Sequence, residues 1–363
     1  MIVDSGAPMP YRDGARRRLR SRAVLGPIAA PPPASAGPVR AVCGTIVDAS
    51  PHVLVLDTGD AEPARVPMTP GTSIWHGGRA GLPALVPGRR ALVRRAADSA
   101  VAERVWVDIV RVTGTIDSCT QKVVHVDGGP HRGRAEVVIP PNTLGRILVR
   151  HPRMEPGYLF DVICVQRPGG LHAVRPGTSQ PSHPADRVAS LPPAAAPAPE
   201  ESGAPAGTAT WFGDLTPPSW DPPEAESPPG AAASGPARTR WRPGGDLRGA
   251  AYPAVDPEGH AGGCVDAPEG CAPLPYLSCG SALVVHNQCA DRTALVPIVE
   301  CGCVAARYCD RCVECGTSPR GRIVELTPLS FVELGGDLDA ACFNVTLDLA
   351  ATAAAHPSME GRP

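Results

Sequence analysis

A tandem repeat sets the strongest limit on what the first half of this chain can fold into. Gly44-Thr45-Ile46 recurs as Gly114-Thr115-Ile116, 70 positions later, and Pro87-Gly88 recurs as Pro156-Gly157 at an offset of 69. Thr69-Pro70-Gly71-Thr72 has a looser echo in Pro140-Pro141-Asn142-Thr143. Three anchors at nearly one offset predict a duplicated unit. Short β-branched runs between Gly, Pro and Asp turns place strands at equivalent points of each copy. In copy one (40–112) they are Val42–Asp48, His52–Asp57, Arg65–Met68, Arg90–Arg95 and Val105–Val112. In copy two (113–172) they are Thr113–Asp117, Lys122–Val126, Arg134–Ile139, Ile147–Val149 and Tyr158–Gln166.

Five short strands in about 70 residues suit a small barrel, so the first half is read as two tandem OB-like β-barrels. Barrels of this kind serve as spacers, as adaptors toward envelope protein partners, or as binders of oligomers. The aromatic platforms and basic groove that single-stranded nucleic acid requires are not evident. A formal net charge of −2 likewise gives no electrostatic reason to expect nucleic acid.

The 45 prolines and 39 glycines punctuate the rest. Residues 173–206 alternate Pro with Ala, Ser and Glu and are read as a semi-extended linker. A second such stretch, 217–245, is read as a long loop inside a third domain, 207–349, and 350–363 as a disordered tail. At the start, 1–39 is a basic, Pro-rich leader. Its basic run Arg12–Arg22, apolar Ala23–Ala30 and small Ala34-Ser35-Ala36 have the order of a secretory signal; a disordered basic leader is the other reading. No apolar run reaches the ~18–20 residues of a membrane span.

Ten of the 13 cysteines crowd between Cys264 and Cys342: Cys264, Cys271, Cys279, Cys289, Cys301, Cys303, Cys309, Cys312, Cys315 and Cys342. An even number packed so tightly predicts a disulfide framework and an extracellular or cell-envelope location. Zinc is the alternative for Cys301 to Cys315. Paired knuckles at finger spacing and nearby His ligands are lacking there, so bridges are favoured and no metal or other cofactor is expected. Cys119 and Cys164 are a further candidate pair. His125, His131, His151 and His172 show no ligand spacing and are read as surface residues.

The third domain carries the chemistry. Gly207–Gly213 (GTATWFG), Ser281–Asn287, Thr293–Glu300, Arg322–Leu326 and Cys342–Leu349 read as strands, with Pro297 at an edge or bulge. Thr327, Pro328 and the pair Gly335-Gly336 punctuate one short helix after Leu326.

These segments resemble the rare lipoprotein A-like (RlpA-like) family. GTATWFG is similar to its G-x-A-S-W-Y-G opening, and Cys279-Gly280-Ser281 with ALVVHN to its P-C/F-G-T-x-V-x-V-x-N strand. RIVELTPLSFVELGG with a closing V-T-L strand resembles its ending. The match covers about 100 residues. It implies a six-stranded double-psi β-barrel with a groove that binds peptidoglycan or another glycan, and in some members a lytic transglycosylase. Such an enzyme needs a carboxylic acid that protonates the glycosidic oxygen and then takes a proton from the sugar's C6 hydroxyl, closing an anhydro ring. The family's two Asp positions correspond to Glu300 and Glu325, the candidate catalytic acids, and its groove histidine has no counterpart. Trp211, Phe212 and Arg322 are the candidate substrate-binding residues, and Trp220 and Trp241 flank the same groove in sequence. The expected function is an exported protein acting on peptidoglycan, with a non-catalytic glycan-binding or structural envelope module as the alternative.

Overall fold

The computed structural model describes residues 39–96, 99–120, 122–186, 204–216, 248–255, 272–302, 304–310 and 321–348. The leader to residue 38, the loop 217–245, the tail 350–363, Trp220 and Trp241 lie outside the described residues. What is described is predominantly β.

The repeat is visible in the backbone. Copy one comprises β1 (Ala41–Ala49), β2 (Val53–Asp57), β3 (Ala64–Pro67), β4 (Ser73–Trp75), β5 (Arg79–Ala80), β6 (Arg90–Arg95) and β7 (Ala102–Val107). Copy two comprises β8 (Ile109–Cys119), β9 (Val123–Asp127), β10 (Arg134–Val138), helix α1 (Pro141–Leu148), β11 (Leu159–Arg167) and β12 (Gly170–Pro176). Thr45 stands opposite Asp57 as Thr115 stands opposite Asp127. Both ladders shift register just after, between Ile46 and Asp48 and between Ile116 and Ser118. The shared glycine has a steric cause. A Cβ on Gly44 would lie 2.5 Å from the Asp57 carbonyl oxygen, and one on Gly114 would strike the Asp127 carbonyl oxygen. Each aspartate then caps its own turn, accepting the Gly59 or Gly129 N–H at 2.9 Å.

The copies differ in closure. Copy two is a closed five-stranded barrel in the order β10-β12-β11-β8-β9, sealed by the parallel pair β10–β12. Copy one, expected as a barrel, is an open seven-stranded sheet, β3-β2-β1-β6-β7-β4-β5. Its chain leaves the sheet at Pro67, which has no N–H to extend a ladder. It re-enters as β4, and this strand takes the parallel place beside β7.

Four local expectations change. Val105–Val112 is two strands, because Asp108 turns left-handed (φ 51) between β7 and β8, a conformation that Asp tolerates. Ile147–Val149 is not a strand. Pro140 and Pro141 open the helix α1, which buries Ile147 and leaves Leu148 and Val149 in solvent. The linker does not begin at 173: β12 runs to Pro176, and the segment to residue 186 stays packed, with Thr178 and Gln180 buried. His151 is fully buried. Its ring lies 4.8 Å from that of Phe160, and its Nε2 is 3.0 Å from the Asp161 carbonyl oxygen.

The C-terminal third closes a six-stranded barrel from β13 (Ala206–Trp211), β14 (Ala250–Tyr252), β15 (Ala282–Asn287), β16 (Arg292–Cys301), β17 (Arg322–Leu326) and β18 (Cys342–Asp348). The strand order is β13-β17-β14-β16-β15-β18. Two pairs are parallel, β13 with β17 and β14 with β16; the rest are antiparallel. Helix α2 (Pro328–Glu333) starts where the sequence places it. Thr327 Oγ1 accepts from the Ser330 N–H, Pro328 opens the first turn, and Gly335 (φ 88) follows its end. Pro297 sits opposite Ala282 at the last pair of the β15–β16 ladder.

One apolar core runs through all three units, joining Trp75, Trp106 and Ile163 to Trp211, Phe331 and Val345. Among the described residues no helix is long and apolar enough to cross a membrane.

Candidate functional site

The two candidate acids are brought together. β14 lies between β16 and β17, and Ala251 is the register partner of both Glu300 and Glu325. Arg132 pairs with both carboxylates. This arginine comes from the β9–β10 turn of the second barrel. Its Nε donates to Glu300 Oε1 at 2.7 Å, and its Nη2 lies 2.7 Å from Glu325 Oε2. The second contact is an ion pair with a fully buried carboxylate. The guanidinium also stacks over the Phe212 ring, 4.5 Å from its centre.

Behind this lies a continuous buried network. Arg322 reaches Glu325 Oε1 (2.9 Å), Asp161 Oδ2 (2.6 Å) and Asp310 Oδ2 (2.6 Å), and packs over the Tyr308 ring at 4.1 Å. Arg111 grips Asp161 with two parallel bonds of 2.9 and 2.7 Å and donates to the Ala341 carbonyl at 2.8 Å. Thr178 donates to Asp310, Gln180 Oε1 accepts the Cys309 N–H, and the Tyr308 hydroxyl donates to the Phe160 carbonyl. Gly177 belongs to this arrangement, because a Cβ there would collide with the Asp161 carboxylate. Asp161, Arg111, Thr178 and Gln180 come from the second barrel and its extension; Arg322, Glu325 and Asp310 come from the third. The network is therefore a joint between the two.

Its electrostatics do not suit acid catalysis. Burial pushes the Glu325 carboxyl up, but Arg132, Arg322 and Arg111 outweigh it and hold the group below its ordinary range. A general acid needs the opposite shift, toward the working pH. Asp161 behaves alike: burial raises its pKa, and Arg111 and Arg322 bring it well below the usual carboxylate value. Glu325 has no exposed side-chain surface, and Glu300 keeps only a 12% exposed edge.

Of the expected substrate-binding residues, Trp211 and Arg322 are buried and Phe212 is half-buried. Trp211 is fully buried, donating its Nε1–H to the Leu338 carbonyl at 2.8 Å, so its ring is not a surface on which sugar can stack. Phe212 is covered by Arg132, and the Arg322 side chain is wholly buried at the centre of the network. Sequence reading did not single out Arg132, Asp161, Arg111 or Asp310. A signal existed for two of them: Asp161 in LFDVICV and Arg111 in IVRV are lone charges in apolar strands, and such a charge demands a buried partner.

Cys289, Cys301 and Cys309 are each half of a disulfide. Cys264, Cys271, Cys303, Cys312 and Cys315 lie outside the described residues. Cys279 and Cys342, expected as half-cystines, are thiols. They belong to opposite ends of the antiparallel β15–β18 ladder, in which Val284 faces Asp348 and Asn287 faces Val345. Cys119 and Cys164 are thiols for the same reason. Cys164 faces Val110 in the β8–β11 ladder, and Cys119 lies at the far end of β8. Nine residues of strand separate such positions by about 30 Å, far beyond the ~7 Å Cα limit of a disulfide.

Fold and site together define a predominantly β chain whose closed C-terminal barrel is bolted to the unit before it through buried arginine–carboxylate pairs. No family model matches the sequence, and no curated protein matches it.

Proposed function

We propose that this chain is a non-enzymatic module of the cell envelope, exported, whose third barrel engages glycan without cleaving it. One observation carries the reading: Arg132 pairs with both Glu300 and Glu325 and occupies the space between them that a scissile sugar would need. Glu325 is held below its ordinary range with no exposed surface and Glu300 is tied to Arg132, so no free acid faces a glycosidic oxygen.

Two features support the family resemblance behind the glycan. The resembling segments fall on β13, β15, β17, α2 and β18 of one closed barrel, in family order, and we read its two parallel pairs as double-psi topology. The second barrel supports the OB-type reading, since its strands run first-second-third-fifth-fourth around the wall with α1 between third and fourth. The disulfide-bonded Cys289, Cys301 and Cys309 support an oxidising compartment.

The test is incubation of purified full chain with peptidoglycan, analysed by pull-down and by mass spectrometry. Sedimentation with the polymer and no anhydro-muropeptide is the expected result. Anhydro product would overturn the non-catalytic part, and failure to sediment would overturn the glycan part.

A further inference from the structure

A second site lies away from the two acids. A cavity of about 360 Å³ opens where all three units meet, walled by Trp75, Arg79, Arg104, Arg146, Arg175 and Asp339 among others. Its size is at the low end of the ~300–1,000 Å³ typical of small-molecule pockets. Four arginines face one aspartate. Asp339 is committed: both its oxygens lie 2.8 Å from Arg104 Nη2, and Oδ1 also accepts from Trp106 Nε1 at 3.0 Å.

Arg79, Arg146 and Arg175 have no ion-pair partner among the described residues; the one bond recorded for any of them is a long 3.5 Å contact from Arg146 to the Val174 carbonyl. They arrive from different parts of the chain: β5 of the first unit, then α1 and β12 of the second. Arg94, Arg111, Arg132 and Arg322 are each matched with carboxylates. Here exposed Arg79 and Arg146 and half-buried Arg175 line one cavity without a carboxylate of their own, and among the described residues Arg104 Nε is a buried donor with no acceptor. A cleft lined by charges of one sign raises the local concentration of counter-ions, here anions.

We propose that this cavity binds a phosphoryl group carried on a small organic scaffold of roughly monosaccharide size. A phosphoryl dianion offers three peripheral oxygens and two charges to converging guanidiniums; a carboxylate offers two oxygens and one charge. Trp75 and Val174 supply the apolar part of the wall for the scaffold. This site does not depend on the proposed glycan binding by the third barrel.

Isothermal titration calorimetry on the full chain tests it with glucose 6-phosphate, inorganic phosphate and glucose. Glucose 6-phosphate is expected to bind one to one, more tightly than about 1 mM. Inorganic phosphate should bind more weakly, and glucose should give no saturable heat. Arg146→Gln and Arg175→Gln should each weaken the sugar phosphate about tenfold, the scale of one charge-assisted contact. Arg134→Gln, at a 74% exposed arginine of the second barrel, should leave it unchanged. None of the cavity variants breaks an ion pair, so circular dichroism should be that of the parent; if one misfolds, Arg79→Gln reads the same contact set. Absence of saturable binding by either phosphate, equal affinity in the cavity variants, or an equal loss in Arg134→Gln would each overturn the proposal.

Discussion

Arg322 and Asp161, 161 positions apart in sequence, meet at 2.6 Å with neither side chain exposed to solvent. One belongs to the third barrel and the other to the second. Removing the arginine leaves Asp161, Asp310 and Glu325 short of charge in a dry interior, and breaking a buried pair in this way typically costs about 3–5 kcal/mol. Arg322→Met should lose that much in urea unfolding. A loss below ~1 kcal/mol would show that the network is dispensable to the fold.

Acid should destabilise the protein in two stages. The His76 imidazole is pushed down to about 4, chiefly by burial and then by Arg89 and Arg167, while Asp108 Oδ2 lies 3.8 Å away. Its folded value lies below its unfolded one (~6.5), so its contribution is full above pH ~6.5 and is lost as the pH falls toward 4. His151 and His183, also lowered by burial, act in the same sense. Asp161 and Glu325, with depressed folded values, hold their contribution above the ordinary carboxylate range and lose it on further acidification. Melting temperatures from pH 7 to 3 should fall in both windows. His76→Gln should flatten the first and spare the second; an unchanged first slope would remove His76 from this account.

The paired glycines make a steric prediction. Gly44→Ala and Gly114→Ala should each cost about 1–3 kcal/mol, because the new methyl meets a fixed carbonyl across the ladder. Gly145→Ala in α1, with open space around it, should instead stabilise by about 0.5–1 kcal/mol. Thermal unfolding of the three variants checks the contrast, and equal effects would contradict it.

Thiol labelling should follow burial. Cys43, its thiol pushed up to about 11 by burial, and Cys164, raised further by burial and Asp161, should resist iodoacetamide in the native protein. Cys119, Cys279 and Cys342, all partly exposed, should react before them. Peptide mass spectrometry before and after denaturant reads the order. Native labelling of Cys164 would mean that the second barrel opens.

What the sequence disclosed followed the range of the interaction. The Gly-Thr-Ile repeat was legible because its cause, a glycine against an aspartate carbonyl 13 positions on, is local and present twice. The Thr327–Gly336 helix was legible because caps are local. β14 was missed because three residues, Ala250–Tyr252, carry too little pattern to announce a strand. Glu300 and Glu325 meet beside Ala251, and their shared partner was not legible in the sequence. Arg132 reaches them from 168 positions before Glu300, out of a polar turn that has no feature marking it as an interior residue.

The strand order of the last barrel also bears on how the chain is made. β13 pairs only with β17 and β18, and β18 is the seam against β15 as well. On a ribosome or in an export channel, β13 therefore emerges more than a hundred residues before its first partner. The two earlier units can fold in that interval, with Arg111 already holding Asp161. Contacts of such long separation form slowly, and two strands with unmatched edges wait exposed to other chains. A nascent chain stalled short of Cys342 would leave β13 and β15 both open, so escape from aggregation depends on timely release of the final strand.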